Sequence, residues 1–178
     1  EGPDAVSVRK VARRAGVSSG APFRHFPDKA SLMGAVAEEG VIRLNALVAE
    51  RVAEAGDDPA QQFRAAGIAY VLFAVAHPGH FRVMSRPEYS TETVRAAWLV
   101  GREGMRGLIR ASQERGTIAA GDPETIFIAA HALVYGLARL FVDGFFELDG
   151  ISADRAAEIV DAVTAQVGLG FGVSTATK

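Results

Sequence analysis

The apolar residues of this chain recur at helical spacing in one segment after another, and glycine, proline and capping residues stand between the segments. That punctuation predicts an all-α fold. No hairpin turn is flanked by alternating apolar and polar residues, so strands are not expected. Ser7 reads as the N-cap of a short helix over 8–14, with Val8, Val11 and Ala12 turned inward. Ala15-Gly16-Val17 ends that helix, and Gly16 suits the left-handed backbone of a sharp turn. Ser18 is expected to cap a second short helix to 26. Pro27-Asp28 then breaks the chain before a long helix to 55, striped by Leu32, Val36, Gly40, Leu44 and Leu47. Beyond the Gly56-Asp57-Asp58-Pro59 linker the pattern predicts helices over 59–77, 81–85, 91–115 and 123–146. A last helix is capped by Ser152 and carries Ile159, Val160, Val163 and Val167. The tail 174–178 is expected to fray.

Composition narrows what such a bundle can do. Hydrophobic residues make up 49% of the 178, enough for a sizeable core. There is no cysteine, hence no disulfide frame and no thiol chemistry, which fits a reducing cytoplasm. The greasiest stretch, 126–146, is interrupted by His131, Arg139 and Asp143, and no secretory signal is visible. Net charge is only −2, but residues 1–30 hold six bases (Arg9, Lys10, Arg13, Arg14, Arg24, Lys29) against three acids, a local balance of +3. The remainder therefore carries −5. A basic head on an acidic body can set a positive patch on DNA while the body is repelled.

Residues 7–32 carry the most information. Two short helices around a Gly-centred turn make a helix-turn-helix, whose apolar spine here would be Val8, Val11, Ala12, Val17 and Phe26. Ser7 and Ser18 would offer helix N-termini to phosphate. Arg9 could reach a guanine edge or a phosphate, while small Ser19, Gly20 and Ala21 would let the backbone approach bases. Arg24 is the base-reading candidate and Lys29 a phosphate clamp. His25 has two open readings, a second phosphate clamp or a hydrogen bond within the fold.

Ala15-Gly16-Val17, Phe23-Arg24-His25-Phe26, and Lys29 followed by Leu32 stand in one register, and in that register the stretch resembles the tetracycline-repressor (TetR) family. The resemblance covers roughly residues 5–35. It implies a three-helix DNA-binding head over 1–46, on a ligand-binding and dimerisation body over 47–178. It also implies a repressor, released from double-stranded operator DNA by a small molecule. Two departures stand out. Phe23 occupies a place where the family commonly has a phosphate-touching Tyr. The family's first helix has almost no counterpart ahead of Ser7, so an N-terminal segment is expected to be missing. His131-Ala-Leu-Val-Tyr135-Gly136 resembles a degenerate Trp-x-x-x-His-Gly signature of one TetR subgroup.

For the body, apolar residues nearly surround the predicted helix over 123–146, with small Ala129, Ala130 and Gly136 among them. A helix apolar all round is a buried one, and a second copy of the chain is the economical cover. The resemblance likewise implies a homodimer through the last two long helices. Tyr70, His77, Phe81, Met84, Trp98, Met105, His131 and Tyr135 are candidates for a ligand cavity taking a small apolar or amphipathic molecule. The sequence holds no HExxH, GxSxG or GxxxxGK[ST] motif, and Pro78-Gly79 breaks the His77/His80 pair as helical metal ligands. No cofactor, metal or enzymatic role is expected. The competing reading is a helical ligand-binding or interaction protein that never touches DNA.

Overall fold

The computed structural model describes residues 2–171, with side-chain environments to residue 166; Val167 of the last stripe and the tail 174–178 fall outside that description. Among the described residues there is no strand, and the all-α expectation holds. The helices are α1 (Val8–Arg14), α2 (Lys29–Glu54), α3 (Pro59–Ala76), α4 (Pro78–Met84), α5 (Glu92–Glu114), α6 (Pro123–Val142), α7 (Phe145–Leu148) and α8 (Ala156–Phe171).

Local chemistry fixes most starts. The Ser7 hydroxyl accepts the Lys10 N–H at 3.2 Å and opens α1. The Asp28 carboxylate accepts the Ser31 N–H at 2.8 Å ahead of α2. Asp58 takes the Ala60 N–H at 3.0 Å with Pro59 leading α3, and Asp122 takes the Thr125 N–H at 3.0 Å with Pro123 leading α6. Thr91 caps α5 through the Val94 N–H at 3.2 Å.

Several expectations are corrected. The second short helix shrinks to a single 3-10 turn, Ala21–Arg24. Pro22 has no N–H to give the Ser18 carbonyl, so the Ala21 N–H closes on that carbonyl instead, at 3.0 Å. Ser18 therefore acts through its backbone and caps no α-helix. The apolar helix after Pro123 stops at Val142, where Asp143 and Gly144 (φ 79°) turn the chain before α7. Ser152 opens a 3-10 turn, Ala153–Arg155, and its hydroxyl bonds Asp154 rather than a helix N–H. On α2 the expected stripe is buried at Gly40 and Leu44, but at the first turns Met33 and Ala37 are buried, one position on from half-buried Leu32 and Val36. Both neighbouring lines are apolar, so spacing alone does not choose between them.

The chain forms two compact units. One takes the residues up to Arg43 together with His77–Trp98; the other takes Leu44–Ala76 and the chain from Leu99 on. The first unit, the head, buries Val8, Ala12, Met33, Val41, Phe81, Val83, Met84 and Val94. Val11 and Val17, expected in its spine, are exposed at 37% and 47%, and Phe26 is half-buried. The second unit, the body, centres on Val71 of α3, Val134 and Leu137 of α6, and Val160 of α8. Burying side chains such as Phe73 or Phe81 stabilises each unit by roughly 1.5–3 kcal/mol apiece.

Candidate nucleic-acid interface

The turn between α1 and the 3-10 segment closes as its residues dictate. The Ala15 N–H reaches the Val11 carbonyl at 2.9 Å and the Val17 N–H reaches the Ala12 carbonyl at 3.1 Å. Gly16 sits between them at φ 70°, where a side chain would be strained. The carbonyl of Pro22 then takes the N–H groups of both His25 (3.0 Å) and Phe26 (2.8 Å), which fixes the 3-10 turn from its far side.

Arg9, Ser18, Ser19, Gly20, Phe23, Arg24 and His25 are exposed, and Ser7, Ala21 and Lys29 are half-buried. The His25 ring lies tilted against the Phe26 ring at 6.4 Å and its side chain makes no hydrogen bond among the described residues, so the internal hydrogen bond considered for it is not formed. The Lys29 ammonium donates to the Asp4 carbonyl at 3.0 Å, which uses one of its three donors.

Charge pairing divides the arginines sharply. Arg9, Arg13, Arg14 and Arg24 have no hydrogen-bond or ion-pair partner among the described residues. In the body, Arg51, Arg64, Arg139 and Arg155 each hold a carboxylate. Arg102 and Arg106 share Glu124, Arg110 holds Glu103, and Arg115 donates to the Asp57 carbonyl. The sequence singles out Arg9 and Arg24 but not Arg13 and Arg14. The structure adds that these two are as unpartnered as Arg9 and Arg24.

Of the ligand candidates, Tyr70, His131 and Tyr135 meet in the body. The His131 ring lies 5.4 Å edge-on from Tyr70, 5.6 Å from Phe127 and 6.3 Å from Tyr135, stacked on the last two. Arg102 stands over the Phe127 ring at 5.4 Å. Burial, then the Arg102 charge, pushes the His131 imidazole below its ordinary value, which favours the neutral ring. Burial and then Tyr135 push the Tyr70 phenol up. Spacing of four residues on α6 explains Phe127, His131 and Tyr135 sharing a face; no local signal announces Tyr70. His77, Phe81, Met84 and Trp98 belong to the head unit, with His77 edge-on to His80 at 5.9 Å, and Met105 lies half-buried on α5.

Comparison with known proteins decides the family. Residues 1–36 match the profile of bacterial regulatory proteins of the tetR family. Residues 63–167, more than half the chain, match the tetracyclin repressor-like C-terminal domain. The chain belongs to the TetR family. The HTH-type transcriptional regulator BetI of Stenotrophomonas maltophilia (strain R551-3) is 41% identical over 59 residues, 33% of this chain and 30% of that relative's length. A solved protein of unknown function from Rhodococcus sp. RHA1 superposes with TM-score 0.77 at 33% identity, covering 95% of this chain and 86% of the other. The ketosteroid transcriptional regulator KstR2 of Mycobacterium tuberculosis gives 0.74 at 17% identity over 96% and 86% of the two chains. The TetR-family regulator PfmR of Thermus thermophilus gives 0.73 at 20% over 91% and 84%. These last two support the shared fold.

Proposed function

We propose that this TetR-family chain is a sequence-specific transcription regulator that represses from duplex operator DNA as a homodimer and is released by a small ligand. Residues 1–46 supply the DNA contacts, and 47–178 bind the ligand and dimerise. The observation that carries the reading is the segregation of unpartnered arginines. Arg9, Arg13, Arg14 and Arg24 all fall between residues 9 and 24, while the body's arginines have partners. Such free cations serve an outside polyanion, and neutralising phosphates drives binding through counterion release. Arg24, on the 3-10 turn, reads a base; Ser7, Arg9, Ser18, His25 and Lys29 hold phosphates; Ser19, Gly20, Ala21 and Phe23 line the base-facing edge.

The body's share rests on α6. By length and composition it could cross a membrane, yet only 22% of its apolar window is buried within the chain. Ile128 is 53% exposed and Leu140 37%. We read that face as covered by a second copy, which leaves a DNA-binding dimer in the cytoplasm and no membrane role. The Tyr70–His131–Tyr135 cluster of the body serves an apolar or amphipathic ligand, with Met105 of α5 as a further candidate in the same unit. No catalysis is assigned.

The experiment is selection of duplexes from a random pool at fixed salt, followed by titration of the winner with and without competitor. A half-site pair spaced by whole helical turns, about 34–36 Å each, is expected. Enrichment of no sequence, with binding no tighter than to random duplex, overturns the reading and favours a helical ligand-binding protein.

A further inference from the structure

Arg86 lies outside the helix-turn-helix stretch, between α4 and the 3-10 turn Pro87–Tyr89. Its guanidinium grips both oxygens of the Asp4 carboxylate, Nη1 to Oδ1 at 2.6 Å and Nη2 to Oδ2 at 2.7 Å. This planar fork constrains orientation as well as distance. Asp4 is held a second time, through its backbone, because its carbonyl accepts the Lys29 ammonium at 3.0 Å. It sits in the 3-10 turn Pro3–Ala5, whose Pro3 is buried, three residues ahead of the Ser7 cap of α1. Two further contacts fasten the surroundings of Arg86 to α2. Thr91 donates to Glu38 at 2.6 Å, and His80 Nε2 lies 3.6 Å from Glu39. The Arg86 fork alone among these three reaches the chain ahead of α1.

We propose that Arg86 is a positioning residue of the DNA-binding head. Through Asp4 it fixes the loop that delivers the start of α1, with Ser7 and Arg9, against the first turn of α2, with Lys29. The inference rests on the DNA-binding reading above. Phosphate contacts set a protein's register on the duplex, so two contact groups on separate helices must keep a constant separation. A side chain that fixes this separation improves binding without touching DNA. An exposed ion pair adds little to overall stability, so Arg86 acts on register rather than on folding. Because Arg86 lies in the segment leading directly into α5, the head's geometry depends on a residue that its own motif does not contain.

The test uses the full chain with Arg86→Gln, Asp4→Ala and the double substitution. Affinity for the selected duplex is measured across a salt series, and backbone hydrogen exchange over residues 4–10 is measured without DNA. Each single substitution is expected to weaken binding by about fivefold, the upper range for an exposed pair. The double substitution should be no worse than either single one, since both break the same link. The slope of log affinity against log salt should stay at the parent value while exchange over 4–10 quickens. A slope reduced by about one unit in Arg86→Gln, with Asp4→Ala binding normally, makes Arg86 a phosphate contact and overturns the proposal. Additive losses overturn it, as does faster exchange with unchanged affinity. A parent chain that binds duplex while the variants match it sinks this inference alone; a parent that binds no duplex sinks both readings.

Discussion

In the body unit the arginines are spent at home, from Arg51 on Glu54 to Arg155 on Glu158, whereas Arg9, Arg13, Arg14 and Arg24 of the head have no partner among the described residues. Pairing sets these four apart from the body's arginines, and also from Arg43 and Arg86 of the first unit, which hold Glu39 and Asp4. A surface ion pair contributes only ~0–1 kcal/mol to stability, so the body gains little from its pairs beyond neutralising its surface. The head accepts four uncompensated charges within sixteen residues, a self-repulsion relieved only when an outside anion arrives. Local charge balance, not net charge, is the quantity that marks a binding face in a chain with a net −2.

The strongest way to break this comparison is to remove the body's contribution to the head. Ile128→Glu puts a carboxylate on the exposed apolar face of α6, where Ile128 is 53% exposed. A monomer is expected by sedimentation, and operator affinity should fall by about 100-fold or more, because two linked heads gain that much from effective concentration. A stable dimer in this variant would place the interface elsewhere.

Within the head, Arg24→Ala should cost roughly 1–3 kcal/mol and relax the preference at one position of each half-site, if it holds a base edge with two hydrogen bonds. Repeating the duplex selection with the variant checks this, and an unchanged selected sequence would remove Arg24 from base reading. Next in size, Lys29→Ala and Arg9→Ala should weaken all duplexes alike and lower the salt slope by about one unit each. Arg155→Ala in the body is the matched control, and its salt slope should not move. A drop there would erase the distinction between free and paired arginines.

What could be read from sequence follows the range of the interactions. Ser7, Asp28, Asp58 and Asp122 cap helices two or three residues away, and Gly16 needs only its own backbone, so a short window contains each signal. The 3-10 turn at Ala21–Arg24 was also within reach, since Pro22 denies the Ser18 carbonyl its partner. The burial line of α2 was ambiguous because two adjacent lines are equally apolar. The link between Asp4 and Arg86 spans 82 positions and has no local trace. The meeting of Tyr70 with His131 was equally invisible, although both residues stand out by type.

The smallest effect concerns the one body histidine held among aromatic rings. Burial and the nearby Arg102 lower the His131 value in the folded chain below its reference of 6.5. The unfolded chain then takes up the proton first as pH falls. Below about pH 6.5 the unfolded state therefore binds more protons than the folded one, and stability must decline with falling pH until the folded imidazole also protonates. Above that window His131 is neutral in both states and contributes no pH dependence. His131→Phe keeps a ring between Phe127 and Tyr135 but cannot titrate. Urea midpoints measured from about pH 7 to about pH 5 should show the parent losing ground to this variant only below about 6.5. The loss should be small, since the ring is only partly buried. A constant gap between the two curves across that range would mean the imidazole is as free to take a proton in the folded body as in water.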